Sequence, residues 1–171
     1  MNTARERDFL ISEVVRNTDF VLRNNPDKTY LMACDYAKDP LLDSTLSLVK
    51  DLRKIYGHKI MILDFNSHQS SLDADYTNIN TLDFLNHDAE SLEKELRIYQ
   101  DECLNHYDFL FVLPYVKLQS EKTVLPSLQI DAAFVLRSSA SVLPTAKKSV
   151  TEMILDAQIN IAGLISIGAG S

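Results

Sequence analysis

Glycine is scarce in this chain. The 171 residues hold four, Gly57, Gly163, Gly168 and Gly170. That excludes glycine-dependent ligand loops over most of the sequence, because Cβ atoms obstruct the close backbone approach that such loops use. Tryptophan is absent and cysteine occurs twice, at Cys34 and Cys103. The two cysteines are far apart, have no metal-ligand spacing and fall in apolar patterns, so buried thiols are expected. There is no block of lysine and arginine, and the net charge is −7. Nucleic-acid binding needs the opposite sign, which leaves protein partners as the default. No apolar run reaches the ~20 residues that span a bilayer, so no direct membrane insertion is expected. The opening "MNTARERDFL" lacks the apolar core of a signal peptide. The expected compartment is the cytoplasm, with any membrane contact peripheral and made through a partner.

Hydrophobic residues make up 46% of the chain, an ordinary value for a globular protein. The length suits a single domain over residues 1–171. Residues 3–23 have a helical pattern, with Phe9, Leu10, Val14 and Phe20 as apolar surface, until "NNPDK" breaks it. "TYLMAC" has the composition of a short buried strand. Asp39-Pro40 is a helix start, Asp as N-cap and Pro at the first helical position. That helix runs to Tyr56 with Leu41, Leu48, Leu52 and Ile55 on one side, Leu46 and Val49 widening the stripe, and Gly57 ending it.

"KIMILDF" is a second buried strand, residues 66–78 are turn-like, and "INTLDFL" has the form of a short strand. Residues 88–104 form an amphipathic helix, with Leu92, Leu96, Tyr99 and Cys103 at helical spacing and Glu90/Lys94 and Glu93/Arg97 as outer pairs. "YDFLFVLPYV" and "IDAAFVLRSS" supply two more strands. A helix from about Leu143, with Ala146, Val150, Met153 and Ala157 inward, leads to a last strand, "INIAGLISIG". Apolar strands alternating with amphipathic helices predict an α/β fold in three layers, α/β/α, around a mostly parallel sheet. Ligands of such sheets sit beyond the carboxyl ends of the strands.

This order of segments resembles the deviant P-loop ATPases of the MinD/ParA group, and within them the cytoplasmic domain of bacterial tyrosine kinases of capsule and exopolysaccharide synthesis. The likeness runs from about Glu13 to Gly168. "EVVRNTD" is similar to the family's E-x-x-R-x-x-R helix, with Glu13 and Arg16 matching and Asp19 in place of the second arginine. "IMILDFNSHQS" is similar to the second strand, with Asp64 in the matching place. "YDFLFVLPYV", "IDAAFVLRSS" with Arg137, and "INIAGLISI" follow in the family's order. The resemblance implies a P-loop NTPase-like fold, and a subunit interface at Glu13 and Arg16. The charge reversal at Asp19 argues against the same ring.

The departures fall on the chemistry. Counted back from Asp64, the family's G-x-x-x-x-G-K-[ST] window lands on "YAKDPLLD". Tyr36 and Leu41 replace the glycines, Leu42 the lysine and Asp43 the hydroxyl residue that would hold Mg²⁺. Leu113 stands at the acidic position ending the third strand, and Ile167 at the asparagine after the last. Asp35, Asp39 and Asp43 put negative charge beside the loop against Lys38 alone. They suit a helix start and weaken the field that draws phosphate. No nucleotide, metal or other cofactor is expected.

The expected function is a non-catalytic, pseudo-ATPase-like or pseudokinase-like interaction module in capsular or exopolysaccharide synthesis or export. Its partners would be itself, or a membrane chain-length or kinase protein. The alternative is a small-ligand binder or enzyme using a re-purposed pocket at the carboxyl edge of the sheet, with Asp35, Lys38, Asp64 and His68 as candidate residues. Asp64, Ser67, His68 and Ser70 lack the elbow glycines of a nucleophile turn, and a polar loop accounts for them. His58, His87 and His106 have no ligand spacing.

Overall fold

The computed structural model describes residues 3–34, 41–65, 75–79, 89–117, 122–124, 128–138 and 150–167. The elements are α1 (Thr3–Asn24), β1 (Thr29–Cys34), α2 (Leu41–Tyr56), β2 (Ile60–Asp64), β3 (Tyr76–Asn78), α3 (Ala89–His106), β4 (Phe109–Leu113), β5 (Tyr115–Lys117), β6 (Lys122–Val124), β7 (Ala132–Ser138), α4 (Val150–Asp156) and β8 (Asn160–Ile167). Six strands form one sheet in the order β3-β2-β4-β1-β7-β8. Every pairing in it is parallel. β5 and β6 make a separate antiparallel hairpin.

The alternation of side chains along each strand divides the core into two. Tyr30, Met32, Ile62, Phe111 and Phe134 point to one face, where Val15 and Leu22 of α1 and Leu41, Leu48, Val49 and Leu52 of α2 cover them. Leu31, Ala33, Leu63, Leu110, Val112 and Val135 point to the other, under Leu96 and Cys103 of α3 and Ile154 of α4. Both faces are apolar, which is why the strands read as continuous hydrophobic runs. The fold is a three-layer α/β/α sandwich of P-loop NTPase-like form.

The connections explain which helix lies where. The chain moves from β1 to β2 and on to β3 in one direction, whereas β3, β4 and β7 each continue in the opposite direction across the sheet. Right-handed crossovers therefore send α2 to one face and α3 and α4 to the other. The direction of travel reverses beside β1 and β4, which makes their carboxyl ends the switch point of the sheet.

The amino edge is tied by side chains. Asp131 accepts the amides of Lys28 (2.9 Å) and Thr29 (3.0 Å), and Asp108 accepts that of Lys59 (3.0 Å). The buried Gln100 of α3 donates to Thr29 Oγ1 and to Gln129 O, both at 2.8 Å. α2 ends as expected: Gly57 has φ 72°, and its amide donates to Arg53 O at 2.9 Å.

Several expectations need correction. Residues 76–78, read as part of a turn, form β3, which adds to the edge of β2, while 80–88 lie outside the described residues. Phe20 and Ile55, assigned to apolar helix faces, are 61% and 59% exposed. Ile154 is the buried anchor of α4, and Ala157 is exposed in the turn that follows it. The β5–β6 hairpin was not foreseen. Cys103 is buried, as expected, Cys34 is half-buried, and the two are not joined in a disulfide. Burial raises the Cys103 thiol above its ordinary pKa.

Candidate functional site

The strand–loop–helix unit β1–α2 opens at the switch point, so its junction is the first place to look for a ligand. Residues 35–40 connect the two elements, and Asp35, Tyr36 and Lys38 lie outside the described residues, as does His68. Of the four positions matched to the phosphate-loop signature, three are described. Leu41 opens α2 and is 6% exposed. Leu42 packs against the same core cluster, beneath α1 and α2. Asp43 occupies the first turn and is exposed. Leu113, at the end of β4, is fully buried. The apolar side chains at this end of α2 are part of the core, and the charge at its helix start is a carboxylate that complements the helix dipole.

Of the residual-pocket candidates, Asp64 alone is described. It is fully buried at the end of β2. Its Oδ2 accepts a hydrogen bond from Tyr76 Oη at 2.5 Å, and Asn78 Nδ2 donates to Tyr76 Oη at 3.3 Å. Register explains the meeting: Ile62 pairs with Tyr76 and Asp64 with Asn78, so all four share one face. The Tyr76 phenol is pushed up to about 12, first by burial and then by its bond to Asp64. It therefore stays a proton donor to the carboxylate. This network satisfies Asp64 internally and keeps it from water, unlike a general base that must reach a substrate.

Sequence reasoning missed Tyr76 and Asn78. The alternation in "DYTNI" carried a signal, with β-favouring Tyr and Thr, but three residues are too few to establish a period. Behind them, Tyr99 of α3 donates to Thr77 Oγ1 at 3.0 Å on the opposite face. In α2, the Thr45 hydroxyl is fully buried and has no hydrogen-bond partner among the described residues.

The interface candidates Glu13 and Arg16 lie exposed on α1 and make no ion pair with each other. Asp19 behaves differently. It is fully buried, with Oδ1 2.6 Å from His58 Nε2 and Oδ2 2.8 Å from Arg23 Nε. A carboxylate only accepts, so the imidazole nitrogen carries the proton between them. His58 stands just before β2 and meets the edge of Phe109 at 5.5 Å. The position read as a charge reversal on a docking surface is thus an internal tie from α1 to the sheet. It is absent from the exposed face that carries Glu13 and Arg16.

An open cleft of about 450 Å³ lies at the amino edge, lined by Arg53, Gly57, Lys59, Asp75, His106 and Tyr107. Arg53 and Asp75 approach to 3.6 Å across it. Burial, and then Asp75, raise the Tyr107 phenol above its ordinary value. Among the described residues, no group of three or more His, Cys, Asp or Glu is placed to hold a metal ion. No described helix is long and apolar enough to cross a membrane.

The class defined by these features is a parallel α/β sandwich whose helix α2 opens with a buried leucine and an exposed carboxylate. No family model, curated protein or solved structure matches the chain.

Proposed function

We propose that the chain is a non-catalytic, pseudo-ATPase-like interaction module that kept a P-loop NTPase-like fold and gave up the nucleotide. The observation that carries this reading is the packing of Leu41 and Leu42. Both lie with the core cluster under α1 and α2, where the resembled enzymes present a glycine and a phosphate-reaching lysine. A phosphate nest needs inward-facing amides and a positive field. Here the first turn of α2 carries Asp43 and no cation.

The setting we propose is capsular or exopolysaccharide synthesis or export, in the cytoplasm and peripheral to the membrane through a partner. The partner is a second copy of this chain, or a membrane chain-length or kinase protein. Glu13 and Arg16, both exposed on α1, are the proposed contact residues. Calorimetry with ATP·Mg²⁺ tests the first part: no heat of binding is expected up to millimolar nucleotide, and micromolar affinity would overturn the reading. Co-purification with the cytoplasmic segment of a chain-length regulator, lost on Arg16→Glu, tests the second.

The second reading, a small-ligand site of altered chemistry at the carboxyl edge, would require a ligand to release Asp64 from its internal bond to Tyr76. Asp64→Asn would then abolish ligand-dependent thermal stabilisation across a metabolite panel. On the interaction-module reading no such stabilisation exists in wild type.

A further inference from the structure

The two edges of the main sheet are built differently. One edge is β3, three residues long. Very short edge strands are a standard protection against strand addition. The other edge is β8, eight residues long, with the sequence NIAGLISI. It contains no charge and no proline, in a chain of which 24% is charged. Its one ladder runs to β7. No described residue reaches its other side by a hydrogen bond. The irregularity opposite Ala133/Phe134 lies near its start, leaving regular pairing from Gly163 onward. Among the described residues, none of the usual devices that blunt an edge operates along that stretch.

Exposed apolar side chains occur on the strand itself and on the helices that contact it. α1 and α4 are the helices in contact with β8. Six large apolar side chains are left exposed among the described residues, and Phe20, Leu155 and Leu164 belong to α1, α4 and β8. Leu164 is 55% exposed at the middle of the strand.

We infer that β8 is a homodimer edge, at which a second copy of this chain pairs antiparallel through its own β8 about a two-fold axis. Three observations select a second copy over an unrelated strand. An uncharged strand meets its own copy without placing like charges opposite one another, which most surface of a chain with net charge −7 cannot do. A two-fold axis at the strand centre sets the exposed Leu164 against its own copy, so each leucine supplies the apolar cover the other lacks. The pairing also closes. It joins two six-stranded sheets into one of twelve whose outer edges are both the short β3, so growth stops at two chains. This inference rests on the proposed interaction role but adds a surface at β8 to the α1 contact at Glu13 and Arg16, and it is independent of whether nucleotide binds.

Light scattering on size-exclusion fractions of the full chain, loaded from about 1 to 100 µM across the usual range for specific dimers, tests it. Wild type is expected as a dimer and Leu164→Lys as a monomer, with unchanged far-ultraviolet dichroism. In a second test, Leu164→Cys is oxidised under native conditions. Directly opposed residues of antiparallel strands have Cα atoms about 4.5–5.5 Å apart, within disulfide reach. Most of that variant is expected as a covalent dimer, with wild type, which retains Cys34 and Cys103, as the background control. A wild-type monomer throughout, a dimer indifferent to Leu164→Lys, or a dimer that Leu164→Cys fails to cross-link would each overturn the two-fold pairing. None of these outcomes bears on calorimetry with ATP·Mg²⁺, so the two readings fail separately.

Discussion

The Asp19–His58 contact makes an asymmetric prediction. Asp19 is fully buried on α1 and has two partners. Its partners differ in exposure, the side chain of His58 at 14% and that of Arg23 at 60%. Replacing His58 with Phe keeps a ring against Phe109 but removes the donor. That leaves a buried carboxylate held by one arginine at the surface. Removing one partner of a fully buried pair costs about 3–5 kcal/mol, and a hydrogen bond to a charged group contributes about 1.5–3. With Arg23 still in place, about 2–3 kcal/mol is expected for His58→Phe. Asp19→Asn removes the charge itself. The remaining donors can turn to water and the amide oxygen still accepts, so about 1 kcal/mol is expected.

The double variant should cost little more than Asp19→Asn alone, because His58 has no charge left to serve. That corresponds to a coupling above about 1 kcal/mol. Urea unfolding at pH 7, followed by dichroism, gives all three values from midpoints at constant slope. In a chain of this size the His58→Phe loss corresponds to a fall in Tm of roughly 5–10 °C. A cost below about 0.5 kcal/mol for His58→Phe, or additive single effects, would refute the view that this contact clamps α1 to the sheet.

Three further outcomes are expected. Thr45→Val exchanges a buried hydroxyl without a partner among the described residues for a methyl group of similar shape, and should stabilise by about 1 kcal/mol; a loss of stability in urea would show that the hydroxyl is satisfied in solution. The Tyr30 and Tyr76 phenols are both raised to about 12 from an ordinary value of 10.0. Each therefore contributes stability that is complete below pH 10 and lost as pH rises toward 12. Tyr76→Phe should remove absorbance change at 295 nm from the high end of a native titration, and removal of a step near pH 10 would contradict the buried bond to Asp64. Gly57→Ala should cost about 1 kcal/mol, because φ 72° at the end of α2 strains an L residue; a neutral result in thermal unfolding would mean that the turn rearranges.

The parallel sheet was legible because each central strand is buried on both faces and so reads as an unbroken apolar run. "TYLMAC" became β1 over the expected residues, and β4 occupies "FLFVL" within the expected "YDFLFVLPYV". The end of α2 at Tyr56 followed from Gly57, while the expected start at Asp39-Pro40 lies outside the described residues. Short pieces failed for lack of length: β3, β5 and β6 have three residues each, fewer than any period needs. Phe20 and Ile55 were assigned inward because periodicity reports an apolar stripe but not where the neighbouring layer stops.

The site was legible in part. Leu41 and Leu42 could be recognised as wrong for phosphate, and the core explains where they go. Asp64 could be placed at the carboxyl edge, but its partner Tyr76 depended on a strand that was not expected. Asp19 looked like a surface charge because a lone carboxylate on an amphipathic helix normally is one, and its partner His58 is 39 positions away.

The central place of β1 has a consequence for synthesis. Its neighbours on both sides come from much later in the chain: Tyr30 aligns with Phe111 of β4 and with Ala132 of β7. At roughly 5–20 residues per second, the segment TYLMAC is therefore made several seconds before either neighbour exists. Until then an apolar segment with no ladder must be sheltered by α1 and α2 or by a chaperone. Helices α1 and α2 bracket β1 in sequence and cover one of its faces in the final fold, so the order of translation supplies half of that shelter first.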